Sequence, residues 1–134
     1  MEPITSLKRK SRVSGVRLTK NSKLFKTILE AIREKKGENI LSLDLKKIDE
    51  AVSDYFVICE ASNQPQLKAI ADNVEDRVRE LTGEKVLHKE GNQQQHWILL
   101  DYINIVVHVM MPESRRFYKL EDLWQDAASQ KHLS

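Results

Sequence analysis

Residues 97–111 read WILLDYINIVVHVMM, and the placing of three polar side chains in this apolar run decides the fold. Asp101, Asn104 and His108 interrupt two short segments of strand length, WILLD and NIVVHVM. Both are rich in branched and aromatic residues, and Pro112 follows, so a β-hairpin is predicted. Side chains on a strand alternate between faces, so parity sorts the hairpin. A two-residue turn at 102–103 or at 103–104 puts odd positions before it on the same face as even positions after it. One face then holds Trp97, Leu99, Asp101, Asn104, Val106, His108 and Met110. The other holds Ile98, Leu100, Tyr102, Ile105, Val107 and Val109 and is core by composition.

The first face is of mixed character. A face turned to plain solvent would carry Lys, Thr or Glu in place of Trp97, Leu99, Val106 and Met110. Aromatic, aliphatic and polar residues side by side are the composition of an interface. Burying a Trp of roughly 200 Å² is worth on the order of 5 kcal/mol gross. Two coverings fit this face: a partner macromolecule, or the protein's own helices and the 91–96 loop with His108 as a satisfied semi-buried residue. The partner reading carries a consequence: Trp97→Ala would weaken binding and leave the fold intact.

Outward from the hairpin the rest of the chain falls into place. Asn21 or Ser22 can cap a helix over about 23–36 lined by Leu24, Ile28 and Ile32, with Gly37 as its left-handed stop. ILSLDL (40–45) alternates, as a strand wet on one side does, and DYFVICEA (54–61) reads as a central strand. Ser62 or Asn63 caps a second helix through Leu67, Ile70, Val74, Val78 and Leu81 to Gly83. KVLHKEG (85–91) is a short strand and NQQQH a loop. Leu120, Leu123 and Trp124 predict a single closing helix over 115–124. The order is helix, two strands, helix, three strands, helix. This predicts an α/β fold: a single mixed β-sheet of about five strands, with helices packed mainly on one face.

The 134 residues fit one domain with a real core. Cys59 is the sole cysteine, which excludes a disulfide framework and a thiolate metal cluster, and it fits a core position in a reducing compartment. No apolar run reaches bilayer length, and the first twenty residues lack the apolar segment of a secretory signal, so a soluble, cytoplasmic protein is expected. Their Ser-containing, acid-poor composition also suits an organelle transit peptide, against which Glu2 and Pro3 stand. Charge is unevenly placed. Residues 1–36 carry 11 Lys and Arg against 3 acids, net +8, and residues 37–134 carry 11 against 17, net −6. The expected organisation is a basic flexible arm (1–20), a folded domain (21–128) and a C-terminal tail (129–134). The arm reads either as a solvated leader or as a contact to phosphate backbones.

Catalytic readings fail on their own requirements. A nucleotidyltransferase needs carboxylates gathered on strands around divalent metal and a Gly-Ser turn for phosphate. Asp44, Asp54 and Asp101 stand at strand positions or ends, but there is no Gly-Ser pair after the first strand, no Asp-x-Asp and no P-loop. His88, His96, His108 and His132 have no metal-ligand spacing. Ser114 lacks a glycine elbow, and Cys59 lies inside a core-like strand. No catalytic residue, metal or cofactor is assigned.

An ordered set of residues is more specific: Asp54-Tyr55, Ser62, Ala69-Ile70-Ala71-Asp72, Glu90-Gly91, Trp97, Leu99, Asp101, Val107-His108, Arg116, Tyr118, Leu120-Glu121 and Leu123-Trp124. From about residue 24 to 127 this pattern resembles the ribosomal silencing factor (Iojap) family. The resemblance implies a nucleotidyltransferase-like topology without its chemistry, and a non-enzymatic translation regulator. Such a regulator binds the large ribosomal subunit through its protein uL14 and sterically blocks joining of the small subunit when nutrients are scarce. Family members in organelles assist large-subunit assembly. A homodimer of the free protein and a ribosomal RNA contact through the basic arm are compatible with it, and an RNA-binding module is the other reading. The expected contact residues are Trp97, Leu99, Asp101 and His108, with Arg116 and Tyr118 behind them. Leu120, Leu123 and Trp124 are assigned to helix packing. The family usually carries Gly-Asp where this chain has Ile103-Asn104. Ile resists a positive φ, so a longer or bulged turn is expected.

Overall fold

The computed structural model describes residues 22–48, 51, 53–92, 94, 96–123 and 127–134, with the side chains of Glu121 and Leu123 excepted. The 1–20 segment and Trp124 lie outside the described residues. Among the described residues six strands form one sheet: β1 (Glu38–Asp44), β2 (Tyr55–Glu60), β3 (His88–Asn92), β4 (Trp97–Asp101), β5 (Ile105–Met110) and β6 (Ala128–His132). Their spatial order is β3-β4-β5-β2-β1-β6. Of these six strands β2 and β5 pair in parallel and the other neighbours antiparallel, so the sheet is mixed, as expected.

Helices α1 (Lys23–Glu34) and α2 (Gln64–Thr82) cover one face. Ser22 starts α1, its Oγ accepting from the Phe25 N–H at 3.1 Å, and Asn63 starts α2 through Gln66 N–H at 2.8 Å. The α1 stop differs from expectation. Lys36, at φ 63°, is the left-handed residue, while the Gly37 N–H reaches back to the Ile32 carbonyl at 3.0 Å. Gly37 is needed for space, since a Cβ there would lie 2.5 Å from Ile32 Cγ2. At Gly83, φ 77° does call for glycine.

The hairpin pairs Trp97 with Met110, Leu99 with His108 and Asp101 with Val106, the register of a turn at 103–104. Parity therefore assigns the faces correctly. Ile98, Leu100, Tyr102, Ile105, Val107 and Val109 join Leu24, Phe25, Ile28, Ile70 and Val74 in the helix-side core. Trp97, Leu99, Val106 and Met110 fall on the opposite face with Leu41, Leu43, Phe56 and Ile58.

Three expectations are corrected here. The second face is covered too: Leu45, Ile48 and Ala51, together with Tyr118 and Leu120 of the closing helices, pack on it. The closing helix is two short ones, α3 (Pro112–Tyr118) and α4 (Leu120–Leu123), separated at Lys119 with φ 49°. Residues expected as a tail supply β6, which pairs with the outer side of β1 from Ile40↔His132 to Asp44↔Ala128. β6 is polar and exposed along most of its length, as suits an edge strand. No helix among the described residues is long and apolar enough to cross a membrane.

Candidate docking surface

Four of the residues expected at a partner interface lie in the protein's own second core. Trp97 is 2 % exposed, and Leu99, Asp101 and His108 are fully buried. The expectation that they form an open docking face is therefore wrong for this conformation. Parity assigns the face but says nothing of what lies over it, and here the covering is intramolecular.

Each buried group has a structural task. The Trp97 indole N–H donates to His108 Nδ1 at 3.2 Å. That bond selects the neutral imidazole with its proton on Nε2, an atom that has no hydrogen-bond partner among the described residues. The ring meets the edge of Phe56 at 4.7 Å between centroids. Burial pushes the His108 pKa down to about 3, so the ring stays neutral at physiological pH.

Asp101 holds the hairpin turn. Its Oδ1 accepts from the Ile103 N–H at 2.8 Å, and the Asn104 N–H donates to the Tyr102 carbonyl at 2.8 Å. The expected longer or bulged turn is not found. The turn is tight, and Ile103 takes φ 72° in spite of its branched Cβ. The Asn104 carbonyl then accepts from Asp54 and Tyr55 N–H at 2.9 and 3.0 Å, tying the turn to β2.

The remaining acids and histidines are dispersed. Lys46 donates to Asp44 from its backbone at 3.0 Å and from Nζ to the Tyr55 hydroxyl at 2.8 Å. The hydrogen bond to Tyr55 is the main reason the Lys46 pKa is raised. His88 faces Glu90, His96 meets Gln64, and His132 meets Ser42, each at a different place in the fold. Among the described residues no three His, Cys, Asp or Glu side chains come together as metal ligands. Cys59 is buried, which pushes its thiol up to about 12 and leaves it a core residue.

The other two expected contact residues, Arg116 and Tyr118, stand on α3 at the surface. Arg116 is exposed, and Tyr118 is half-buried with its ring 4.6 Å from that of Trp97. Between them Phe117 is 78 % exposed and packs edge-on against Tyr118 at 4.9 Å. Lys119 is exposed beside them. An aromatic ring this open, flanked by Arg and Tyr, has the make-up of an interface hot spot. Phe117 is the residue that sequence reasoning missed. In one continuous helix it would share a face with Leu120 three positions on. The break at Lys119 turns Leu120 into the core, 2 % exposed, and leaves Phe117 outside.

Comparison with known proteins agrees with the fold and extends it. Residues 19–134 match the family model described as ribosomal silencing factor during starvation. The ribosomal silencing factor RsfS of Bacillus subtilis is 38 % identical over 104 residues, covering 78 % of this chain and 86 % of that protein. A mouse protein named mitochondrial assembly of ribosomal large subunit protein 1 is 31 % identical over 74 residues, covering 54 % of this chain and 32 % of that one. A crystal structure of a Chromobacterium violaceum protein superimposes with a TM-score of 0.72 at 29 % identity, covering 83 % of this chain and 91 % of that one. The chain belongs to the ribosomal silencing factor family.

Proposed function

We propose, from that membership, that the protein binds the large ribosomal subunit through its protein uL14 and fills space the small subunit needs, repressing translation when nutrients are limiting. The observation that carries this reading is the family match over residues 19–134, which takes in every described element of the fold. The mechanism is occupancy rather than chemistry, and no residue is assigned a catalytic role. The docking surface is the α3 ridge of Arg116, Phe117 and the open side of Tyr118. Phe117 supplies the apolar anchor and Arg116 a charge-assisted hydrogen bond. Residues 21–134, which include α1, carry 16 Lys and Arg against 19 acids, and this net charge of −3 favours approach to a basic ribosomal protein.

The test is sedimentation of purified ribosomal subunits with added protein. Comigration with the large subunit and a loss of joined ribosomes are the expected results. Comigration with the small subunit, or unchanged joining at saturating protein, would overturn the reading. A second reading, assistance in large-subunit assembly, is favoured by the name of the mouse relative. It predicts that cells lacking the protein accumulate immature large subunits even in rich medium.

A further inference from the structure

Helix α3 raises a problem of placement. It has seven residues, and none of them is fully buried. So short a helix has little stability of its own and takes its direction from what it touches. Two of its side chains reach the sheet. Tyr118 lies on Trp97, and Arg115, one turn earlier, enters a polar socket on the opposite side of the helix from Phe117.

The socket is built from β1 and β2. Arg115 Nη1 donates to the Asn39 carbonyl at 2.6 Å and to Glu60 Oε2 at 3.2 Å. The second oxygen of Glu60, Oε1, accepts from Asn39 Nδ2 at 3.0 Å. The Arg115 and Glu60 side chains are 11 % and 18 % exposed, so this ion pair is shielded from solvent screening. Asn39 lies where the β1–β2 register shifts, between Glu38 and Leu41, and has φ 50°. A bulge of this kind re-aims backbone groups. Here it leaves a carbonyl for the guanidinium. Both bonds come from one guanidinium nitrogen, Nη1, whose two N–H groups serve the two acceptors at once.

We propose that Arg115 is the positioning residue of the docking ridge. Successive residues of an α-helix turn by about 100°, so seating Arg115 in the Glu60–Asn39 socket fixes the direction in which Arg116 and Phe117 point. Arg115 itself does not touch the partner. This inference rests on the docking reading above and adds the device that orients the surface.

The experiment compares Arg115→Ala, Arg115→Lys, Phe117→Ala and the Arg115→Ala/Phe117→Ala double variant. Affinity for purified large subunits is measured beside amide hydrogen exchange. The expected results for Arg115→Ala are an affinity about tenfold weaker and much faster exchange at Lys119, whose N–H bonds to the Arg115 carbonyl within α3. Exchange in β2 and β5 stays as in the parent. Arg115→Lys recovers part of the affinity. The double variant binds no worse than the weaker single variant, because both changes remove the same oriented ring. Additive losses, unchanged exchange at Lys119, or equal loss of protection through β2 and β5 would each overturn the proposal at the clasp. Faster exchange at Lys119 with affinity unmoved by either single change would overturn it at the docking reading, leaving the clasp as a purely structural contact.

Discussion

The indole N–H of Trp97 and Nδ1 of His108 are bonded across adjacent strands at 3.2 Å, on a sheet face sealed by Leu45, Ile48, Ala51, Tyr118 and Leu120. The pair that looks like an exposed recognition site in the sequence is thus an internal tie between β4 and β5. Its burial makes the fold sensitive to pH and to substitution in ways a surface pair would not be.

Acid should destabilise the protein through His108. The folded pKa, about 3, lies below the ordinary 6.5, so below pH 6.5 the unfolded chain takes up a proton that the folded chain refuses. Stability from this group is complete above pH 6.5 and falls as pH drops from there toward 3. Between pH 7 and pH 5 the loss is about 2 kcal/mol. Urea denaturation at the two pH values measures it, and His108→Gln removes this contribution to the difference.

Trp97 is a core residue, so its truncation acts on stability first. Trp97→Ala is expected to cost about 3–5 kcal/mol. Trp97→Phe keeps much of the volume but leaves His108 Nδ1 without its donor, at a cost of about 1–3 kcal/mol. Chemical denaturation gives both values. Under conditions where Trp97→Phe remains folded, its affinity for large subunits should match the parent.

Ile103 is held at φ 72°, a conformation that costs a branched residue about 1–3 kcal/mol. Ile103→Gly relieves that strain but adds freedom to the unfolded chain, worth about 0.5–1 kcal/mol in the other direction. A net gain of about 0.5–1 kcal/mol is expected, read as a rise in denaturation midpoint with unchanged slope. A loss of stability would show that the half-buried Ile103 side chain contributes more than its backbone costs.

Phe117→Ala should behave in the opposite way to Trp97→Ala. The ring is 78 % exposed, so stability should move by no more than about 0.5 kcal/mol. Affinity for the large subunit should weaken by about tenfold or more, and Arg116→Ala by a smaller factor. Thermal melts beside subunit binding separate the two effects.

Much of the architecture was legible in residue order. Alternation in WILLD and IVVHVM assigned both faces of the hairpin, and helical spacing with Ser22, Asn63 and Gly83 bounded the two long helices. Two parts were not legible. ASQKH (128–132) carries no apolar face, and it is a strand because the outer edge of β1 offers unpaired backbone groups for it to meet. RRFYKLEDLW reads as one helix, since the residue that breaks it, Lys119, is an ordinary helix former whose left-handed conformation has no mark in the sequence.

By itself, then, the sequence determined the type and order of most elements, the division of the hairpin into two faces, and the family. These follow from period, capping chemistry and local pattern, all of which act between near neighbours in the chain. Only the tertiary structure decided which face stays open. Coverage of Trp97 and His108 depends on segments around residues 48 and 120 arriving from opposite sides in sequence, and exposure of Phe117 depends on one backbone angle at Lys119. Burial is a property of packing between distant parts, and residue type sets only what it costs or gains.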